Sequence, residues 1–401
     1  MDNINSKAET KKIIGEVLTE IVESVKYGNF KKTKIGLMVY GSELGEEELL
    51  KGAFRAMQND PSIEVVPIGP KLEGYENYEW IETQACESEV SEAMEKALRN
   101  GEIEGAVALH YPFPLGIITI GRIITPAKGN SCFIASSTGS SSANRVEAMI
   151  RNAILAIATA KANGIANPTI GILNLDGART ALRALQKLNE NGYKINFASS
   201  ARKDGGAILR GNDLLIGVAD ICVTDTLTGN VLMKLFSAWN TGGNFESVGW
   251  GYGPSVGDGW DKVVSIISRV SGAPVVANAL SYNAKSVRNE LSTKVREELV
   301  LAQKAGLDEI INSISSRETV ENPCEVKAPE KETTDEELQG IDVLEIENAV
   351  ITLWKAGVYA ESSMGCTGPV VKFSSSKKEM VRKILNANGY ISPIANSRTI
   401  T

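Results

Sequence analysis

The chain has 401 residues, with 42 Lys and Arg against 49 Asp and Glu, a net charge of −7, 43% apolar residues and 23% charged residues. These proportions sit near the average of soluble domains and exclude wholesale disorder, collagen-like repeats and coiled coils, while the length implies roughly two to three domains or subdomains. The acidic balance, with a pI near 5.2, argues against general nucleic-acid binding.

Near the N-terminus, apolar residues at 13, 14, 17, 18, 21 and 25 have helical spacing and predict a helix over residues 8–27. The charged residues before it lack the apolar core of a secretory signal. Residues 34–40 read as a buried strand, 46–57 as a helix, 63–68 as a strand, 87–98 as a helix and 105–109 as a strand. The hydroxyl-rich loop Ser136-Ser-Thr-Gly-Ser-Ser-Ser-Ala-Asn-Arg145 leads into a helix with Val146, Met149, Ile150, Ala153, Ile154 and Ile157 on one face and Ser142 as the expected N-cap. Next come a strand at 169–173, a helix at 177–191 and strands at 194–198 and 220–224. Helices are expected at 230–238 and 258–270, then a short apolar stretch at 274–277 and one long helix at 281–305. The Gly-rich aromatic segment 249–260 reads as a flexible loop able to cover a pocket as a lid. Short β-branched runs alternating with helices imply an α/β fold with a largely parallel sheet. There is no internal repeat, and no run approaches the roughly 20 apolar residues of a membrane span.

The composition shifts near residue 315. Residues 315–347 hold eleven acidic residues against three basic ones. This divides the chain into a core (1–315), an acidic linker (316–342) and a C-terminal unit (343–401) with helices at 343–356 and 377–388. The acidic stretch is either a solvated spacer or a docking surface.

Five cysteines, Cys86, Cys132, Cys222, Cys324 and Cys366, show no CxxC spacing. That speaks against a disulfide framework or a zinc site and for a reducing, cytoplasmic setting. The single histidine, His110, stands at the carboxyl end of a predicted strand, either a structural hydrogen-bonder or a residue of the phosphate or acyl site; one histidine excludes two-histidine metal motifs. No cofactor is expected.

Three places can hold chemistry. In the Ser-rich loop, a helix N-terminus with Ser140, Ser141, Ser142 and Arg145 favours an anion such as phosphate, although an ordinary capped loop has the same pattern. In Asp220-Ile-Cys-Val-Thr-Asp-Thr-Leu-Thr-Gly-Asn-Val-Leu-Met-Lys234, a strand gives way to a helix near Asp225, and ligands of parallel sheets bind at such carboxyl ends. Asp225 can orient a group or act as a base, with Asn230 and Lys234 meeting a phosphoryl or acyl oxygen. The bland alternative is that Thr228 caps the helix and Asp225 holds the turn. In Met364-Gly-Cys-Thr-Gly-Pro369, glycines leave the Cys366 sulfur open, as a nucleophile requires, although an inert cysteine fits the pattern equally and no histidine is near it in sequence; Cys132 and Cys222 read as buried small hydrophobes.

The segment Ala219-Asp-Ile-Cys-Val-Thr-Asp-Thr-Leu-Thr-Gly-Asn-Val-Leu-Met-Lys234 resembles the signature strand-turn-helix of PlsX-type phosphate acyltransferases. Ile195-Asn-Phe197 and Gly272-Ala-Pro-Val-Val276 fit the same layout. Over its whole length the chain is similar to alpha subunits of component C of glycine/sarcosine/betaine reductase complexes. The segments that carry this are Arg145-Val-Glu-Ala-Met-Ile-Arg-Asn-Ala153, Ile170-Gly-Ile-Leu-Asn-Leu-Asp-Gly-Ala-Arg179 and Ser363-Met-Gly-Cys-Thr-Gly-Pro369.

The resemblance implies an isopropylmalate-dehydrogenase-like, PlsX-like core of two subdomains plus a small C-terminal helical unit. It implies that Cys366 holds an acetyl group as a thioester, derived from a carboxymethyl-selenoether on selenoprotein A. Phosphate then releases it as acetyl phosphate in a pocket lined by Asp225, Asn230 and Lys234. The implied partners are a thiolase- or ketoacyl-synthase-like beta subunit, selenoprotein A and phosphate, in a hetero-oligomer with neither nucleic acid nor membrane.

Departures from PlsX enzymes are Tyr40-Gly-Ser-Glu-Leu44 in place of an early Gly-rich Asp motif, Thr226 in place of Gly, and the added C-terminal unit. They favour acetyl over a long-chain acyl carrier. A stand-alone phosphate acyltransferase using acetyl-CoA or an acyl carrier, and a non-catalytic scaffold, are the alternatives.

Overall fold

The computed structural model describes residues 32–202, 206–318, 326–342, 345–365 and 368–391. The helix expected over 8–27 and the residues Cys324 and Cys366 lie outside the described residues. β1 (Thr33–Met38), β2 (Ile63–Gly69), β3 (Ile81–Glu82) and β4 (Gly105–Ala108) alternate with α1 (Glu46–Asn59) and α2 (Glu87–Asn100). β5 (Ile118–Ile124) and β6 (Ser131–Gly139) form an antiparallel pair that leads into α3 (Arg145–Ala162). Alternation resumes with β7 (Thr169–Leu173), α4 (Ala178–Glu190), β8 (Asn196–Phe197), β9 (Ile208–Leu209), α5 (Gly211–Ile216), β10 (Ile221–Val223) and α6 (Thr226–Ala238). β11 (Gly253–Val256), β12 (Val264–Ile266), α7 (Ala273–Arg288), α8 (Leu291–Lys304) and α9 (Leu307–Glu318) complete the core.

Twelve strands form one sheet in the order β3-β2-β1-β4-β12-β11-β5-β6-β10-β7-β8, with β9 also on β7. β3, β2, β1, β4 and β12 are mutually parallel, as are β6, β10, β7, β8 and β9. β11 is antiparallel to both β12 and β5, and β5 to β6. The two parallel groups therefore run in opposite senses along one sheet. Strands inside it are buried on both faces and read as continuous apolar runs. Helices cover the sheet, giving two apolar clusters, one including Ile35, Leu37, Leu49 and Leu280, the other Phe133, Ile150, Ile154, Leu185 and Leu299. The expected α/β fold with a mostly parallel sheet is the one observed.

Four local expectations are corrected. Residues 258–270 are not a helix. Val264 to Ile266 is a fully buried strand wedged between β4 and β11, where β-branched side chains fit a pleated surface. The 249–260 segment is only partly a loop, because Gly253 to Val256 is a buried strand in the middle of the sheet. The helix expected over 281–305 is two helices, broken at Glu290, whose φ of 52° is left-handed and ends any right-handed run. The loop at 136–145 begins only after Gly139, since Ser136 to Thr138 belong to β6. Asn144, not Ser142, caps α3, its side chain accepting from the Glu147 amide at 3.0 Å.

The C-terminal unit contains both expected helices, α10 (Ile346–Lys355) and α11 (Lys378–Ala387). It also contains an antiparallel sheet of β13 (Glu336–Gln339), β14 (Ala360–Gly365) and β15 (Gly368–Phe373) in the order β13-β15-β14. Its core includes Leu338, Val350, Leu353, Val371, Phe373, Val381 and Leu385. β13 lies inside the stretch read as a linker, so the unit begins before residue 343, while α9 extends past residue 315. Acidic residues masked this strand, because only Leu338 faces the core. The acids have partners, with Glu337 opposite Lys372 and Glu336 accepting from Lys378 Nζ at 2.8 Å.

The unit docks on α4. Gly177, which precedes α4 with φ 85°, donates its N–H to Asp342 Oδ1 at 3.1 Å, so a buried carboxylate caps that helix. Arg183 pairs with Glu345 and donates to the Tyr390 carbonyl at 3.0 Å. Arg183→Ala is expected to speed amide exchange in α10 and α11 by roughly tenfold or more, given about 1.5–3 kcal/mol for a charged hydrogen bond, with α3 unchanged. Hydrogen exchange read by mass spectrometry checks this, and equal protection in both proteins would refute it.

Candidate functional site

The site grows from the junction of β10 and α6. β10 is the apolar triplet Ile-Cys-Val, which ends at Val223. Asp225 then caps α6: Oδ1 accepts from the Thr228 amide and Oδ2 from the Thr228 hydroxyl, both at 2.9 Å. The cap is thus Asp225, and Thr228 is its donor. α6 presses directly on β6, and Gly229 makes this possible. A Cβ there would lie 1.8 Å from the Ser136 carbonyl oxygen.

Close approach lets α6 side chains reach the backbone of β6. Asn230 Nδ2 donates to the Ser137 carbonyl at 3.1 Å, and Thr226 Oγ1 donates to the Gly139 carbonyl at 2.8 Å. The hydroxyls of Ser136 and Thr226 lie 2.7 Å apart. Ser137 Oγ bonds the Tyr252 carbonyl at 2.6 Å, tying β6 to the segment before β11.

One turn further along α6, Lys234 Nζ donates to the Tyr252 hydroxyl at 3.2 Å. That hydroxyl donates to Glu246 Oε1 at 2.7 Å, and Ser271 Oγ donates to Glu246 Oε2 at 3.0 Å. Glu246 is only 2% exposed. Burial pushes its carboxyl above the usual range, opposed by the hydroxyl donors Tyr252 and Ser271 and by the Lys234 charge. Burial also raises the Tyr252 phenol, so it stays a neutral donor. The result is a cation on an exposed helix residue, anchored from beneath by a buried hydroxyl–carboxylate pair. Chemically this is a fixed positive group beside hydroxyls, suited to an oxyanion.

The Ser-rich loop follows β6 and reaches the same region through Asn152, which donates to the Thr224 carbonyl at 3.2 Å and accepts from Ser141 Oγ at 2.7 Å. Each hydroxyl already donates within the chain, Ser140 to the Ser142 carbonyl and Ser142 to the Glu147 carboxylate. Arg145 is exposed at the start of α3 and lies 3.8 Å from Asp176, whose neighbour Gly177 meets Asp342. His110 is exposed, and its imidazole makes no hydrogen bond or ion pair with any described residue. Asp225, Asn230 and the Ser136–Gly139 end of β6 therefore converge, and Lys234 joins them through Tyr252 and Ser137.

Sequence reasoning missed Glu246, Tyr252 and Ser271. The only signal was Tyr252 in the Gly-rich aromatic segment. Cys132 and Cys222 are buried as expected, and burial pushes the Cys222 thiol up to about 12. Among the described residues no group of three or more His, Cys, Asp or Glu can hold a metal ion. A cleft of about 710 Å³ lined by Lys161, Tyr193 and Glu298 contains none of the residues expected to act.

Comparison with known proteins gives the relationships. The model of the family described as "Fatty acid synthesis protein" matches residues 33–372. The chain is 47% identical over 386 residues to the glycine/sarcosine/betaine reductase complex component C subunit alpha of Peptoclostridium acidaminophilum, covering 96% of this chain and 100% of that one. It is 26% identical over 240 residues to a phosphate acyltransferase of a Geobacillus strain, covering 50% and 70% of the two chains. A branched-chain phosphotransacylase structure from Enterococcus faecalis shares 16% identity and a TM-score of 0.42 over 63% of this chain and 99% of that one. No described helix is long and apolar enough to cross a membrane. The chain belongs to the fatty acid synthesis protein family and, within it, to the alpha subunits of component C of glycine/sarcosine/betaine reductase complexes.

Proposed function

We propose that this chain carries an acetyl group as a thioester on Cys366 and transfers it to phosphate, giving acetyl phosphate, within a cytoplasmic reductase complex. The observation that carries the reading is the 47% identity along the full length of a component C alpha subunit. The oxyanion-suited site at the start of α6 supports it. Phosphate oxygen attacks the acetyl carbonyl carbon; the new C–O bond forms as the C–S bond breaks. The sulfur leaves with the electron pair and takes the proton released by hydrogen phosphate. Thioesters are activated and phosphate is anionic at neutral pH, so positioning matters more than a strong base. That suits a chain with one histidine.

In this reading Lys234 and the α6 terminus hold the phosphate, Asn230 orients it, and Asp225 fixes the turn that presents both. Arg145, with Ser140, Ser141, Ser142 and His110, is the next set able to meet the anion. The partners are the beta subunit of component C and selenoprotein A, the source of the acetyl group.

The test is intact-protein and peptide mass spectrometry after incubation with acetyl phosphate, which loads the thiol in reverse. The expected result is one hydroxylamine-sensitive acetyl adduct on the Cys366 peptide, discharged by phosphate and absent from Cys366→Ser. An adduct that survives in Cys366→Ser, or none even with the beta subunit present, would overturn the assignment. Phosphorolysis of acetyl-CoA unaffected by Cys366→Ser would favour a stand-alone acyltransferase.

A further inference from the structure

The loop between β2 and β3 folds back over α1 at the β3 edge of the sheet, with β1, β4, β12, β11 and β5 standing between β2 and the strand that meets α6. It leaves a cleft of about 430 Å³, inside the range of small-molecule pockets. Two contacts hold the loop in place. Tyr78 Oη lies 3.5 Å from the Leu50 carbonyl oxygen, and Trp80 Nε1 donates to the Tyr75 carbonyl at 2.9 Å. The rings of Tyr75 and Tyr78, 6.5 Å apart, stand on the loop side of the cleft, and Phe54, 55% exposed, on the helix side. Lys51, Arg55 and Asn77 also line it, and no carboxylate does.

The charge of this cleft is unbalanced. Lys51 and Arg55 are four apart on α1, so they share one face of the helix and repel each other. Arg55 makes no ion pair or hydrogen bond with any described residue. Lys51 is 3.6 Å from Glu48, which α7 already holds through the Ala273 N–H at 2.8 Å. Glu76 and Glu79 of the loop are engaged elsewhere, accepting from the Gly74 N–H at 2.9 Å and from Lys34 Nζ at 2.6 Å. An anion placed between Lys51 and Arg55 turns their repulsion into attraction.

We propose that this cleft binds an adenine nucleotide, with its phosphate between Lys51 and Arg55 and its base stacked on Phe54 and Tyr75. A separate group calls for each part of the ligand. A guanidinium forks onto a phosphate, and exposed rings stack on the faces of bases. The Asn77 carboxamide offers the donor and acceptor that match adenine N7 and N6. A free nucleotide and the phosphoadenosine end of coenzyme A present the same chemistry.

Isothermal titration calorimetry on the full chain, with AMP as the probe, tests this. One AMP per chain is expected, with Arg55→Ala and Phe54→Ala each weakening it about tenfold. Asn77→Ala is expected to level the preference for AMP over GMP. All three side chains are exposed, so the fold tolerates their truncation, which circular dichroism checks. Leu215→Ala, at an exposed apolar residue of α5, is expected to leave AMP binding unchanged. Coenzyme A that displaces AMP and is weakened by Arg55→Ala assigns the cleft to coenzyme A; coenzyme A that leaves AMP bound assigns it to the free nucleotide. No binding at millimolar AMP overturns the proposal. So does AMP binding indifferent to both Arg55→Ala and Phe54→Ala, or inorganic phosphate that binds as tightly as AMP.

Discussion

Replacing Gly229 with alanine is expected to destabilise the protein by about 3 kcal/mol or more, the upper range for overpacking, and to slow the acetyl transfer proposed above about 100-fold. The new methyl would stand 1.8 Å from the Ser136 carbonyl oxygen and 2.8 Å from the Thr224 hydroxyl. The first of these is backbone, held in the sheet between β5 and β10, and cannot rotate aside. α6 must therefore lift off β6. Asn230 then loses the Ser137 carbonyl, and Thr226 loses Gly139. A displacement of about 1 Å at a reacting centre costs on the order of 10²-fold in rate. Urea denaturation and acetyl phosphate assays measure the two effects. Gly211→Ala is the control, because a Cβ there meets nothing within 4 Å and the loss of unfolded-state entropy stabilises by about 0.4–1 kcal/mol. Equal midpoints for Gly229→Ala and wild type would show that α6 does not depend on this contact.

Glu246→Ala is expected to be comparably severe. It strips the acceptor from two buried donors, Tyr252 Oη and Ser271 Oγ, at about 1–3 kcal/mol for each donor left unsatisfied. It also removes the charge that draws Lys234 inward, so under the proposed function the KM for phosphate is expected to rise. Glu246→Gln keeps the shape and separates packing from charge through pH. Burial raises the folded-state pKa of Glu246 above its ordinary 4.5, so the folded chain holds this proton longer than the unfolded chain. The associated stability is fully present below 4.5 and is lost as pH rises through the folded value. Gln does not titrate. The stability gap between wild type and Glu246→Gln is therefore expected to narrow as pH rises from 4.5, as read from urea midpoints across a pH series. A gap that widens would mean that the Lys234 charge and the hydroxyls outweigh burial.

How much of this was legible depends on where the deciding contacts lie. β1, β7, α3 and α4 were readable because local pattern and burial agree: continuous apolar runs for strands held between two others, and periodic faces for helices. Val264 to Ile266 was misread because its neighbours β4 and β11 decide its state, and β4 is over 150 residues away in the chain. Leu338 hid among acids whose lysine partners come from β15 and α11. At the site, Asp225, Asn230 and Lys234 could be found because a strand-to-helix turn keeps them together in sequence. Glu246, Tyr252 and Ser271 could not, since the first two come from the segment between α6 and β11 and the third from the loop before α7, and only folding assembles them beneath Lys234. The hydroxyls of Ser140, Ser141 and Ser142 suggested an anion, yet the chain supplies acceptors for all three.

The strand order has a consequence for how the protein is made. β4 and β5 are separated by nine residues in the chain, between Ala108 and Ile118, yet β12 and β11 stand between them in the sheet. Those two strands are synthesised roughly 130 residues after β5, on the order of 10 s later at about 5–20 residues per second. Until they emerge, the nascent chain presents two apolar strands with unpaired edges, the kind of surface on which other chains add. The central pair of strands thus acts as a late keystone, and the interval before it arrives is when this protein most needs a chaperone.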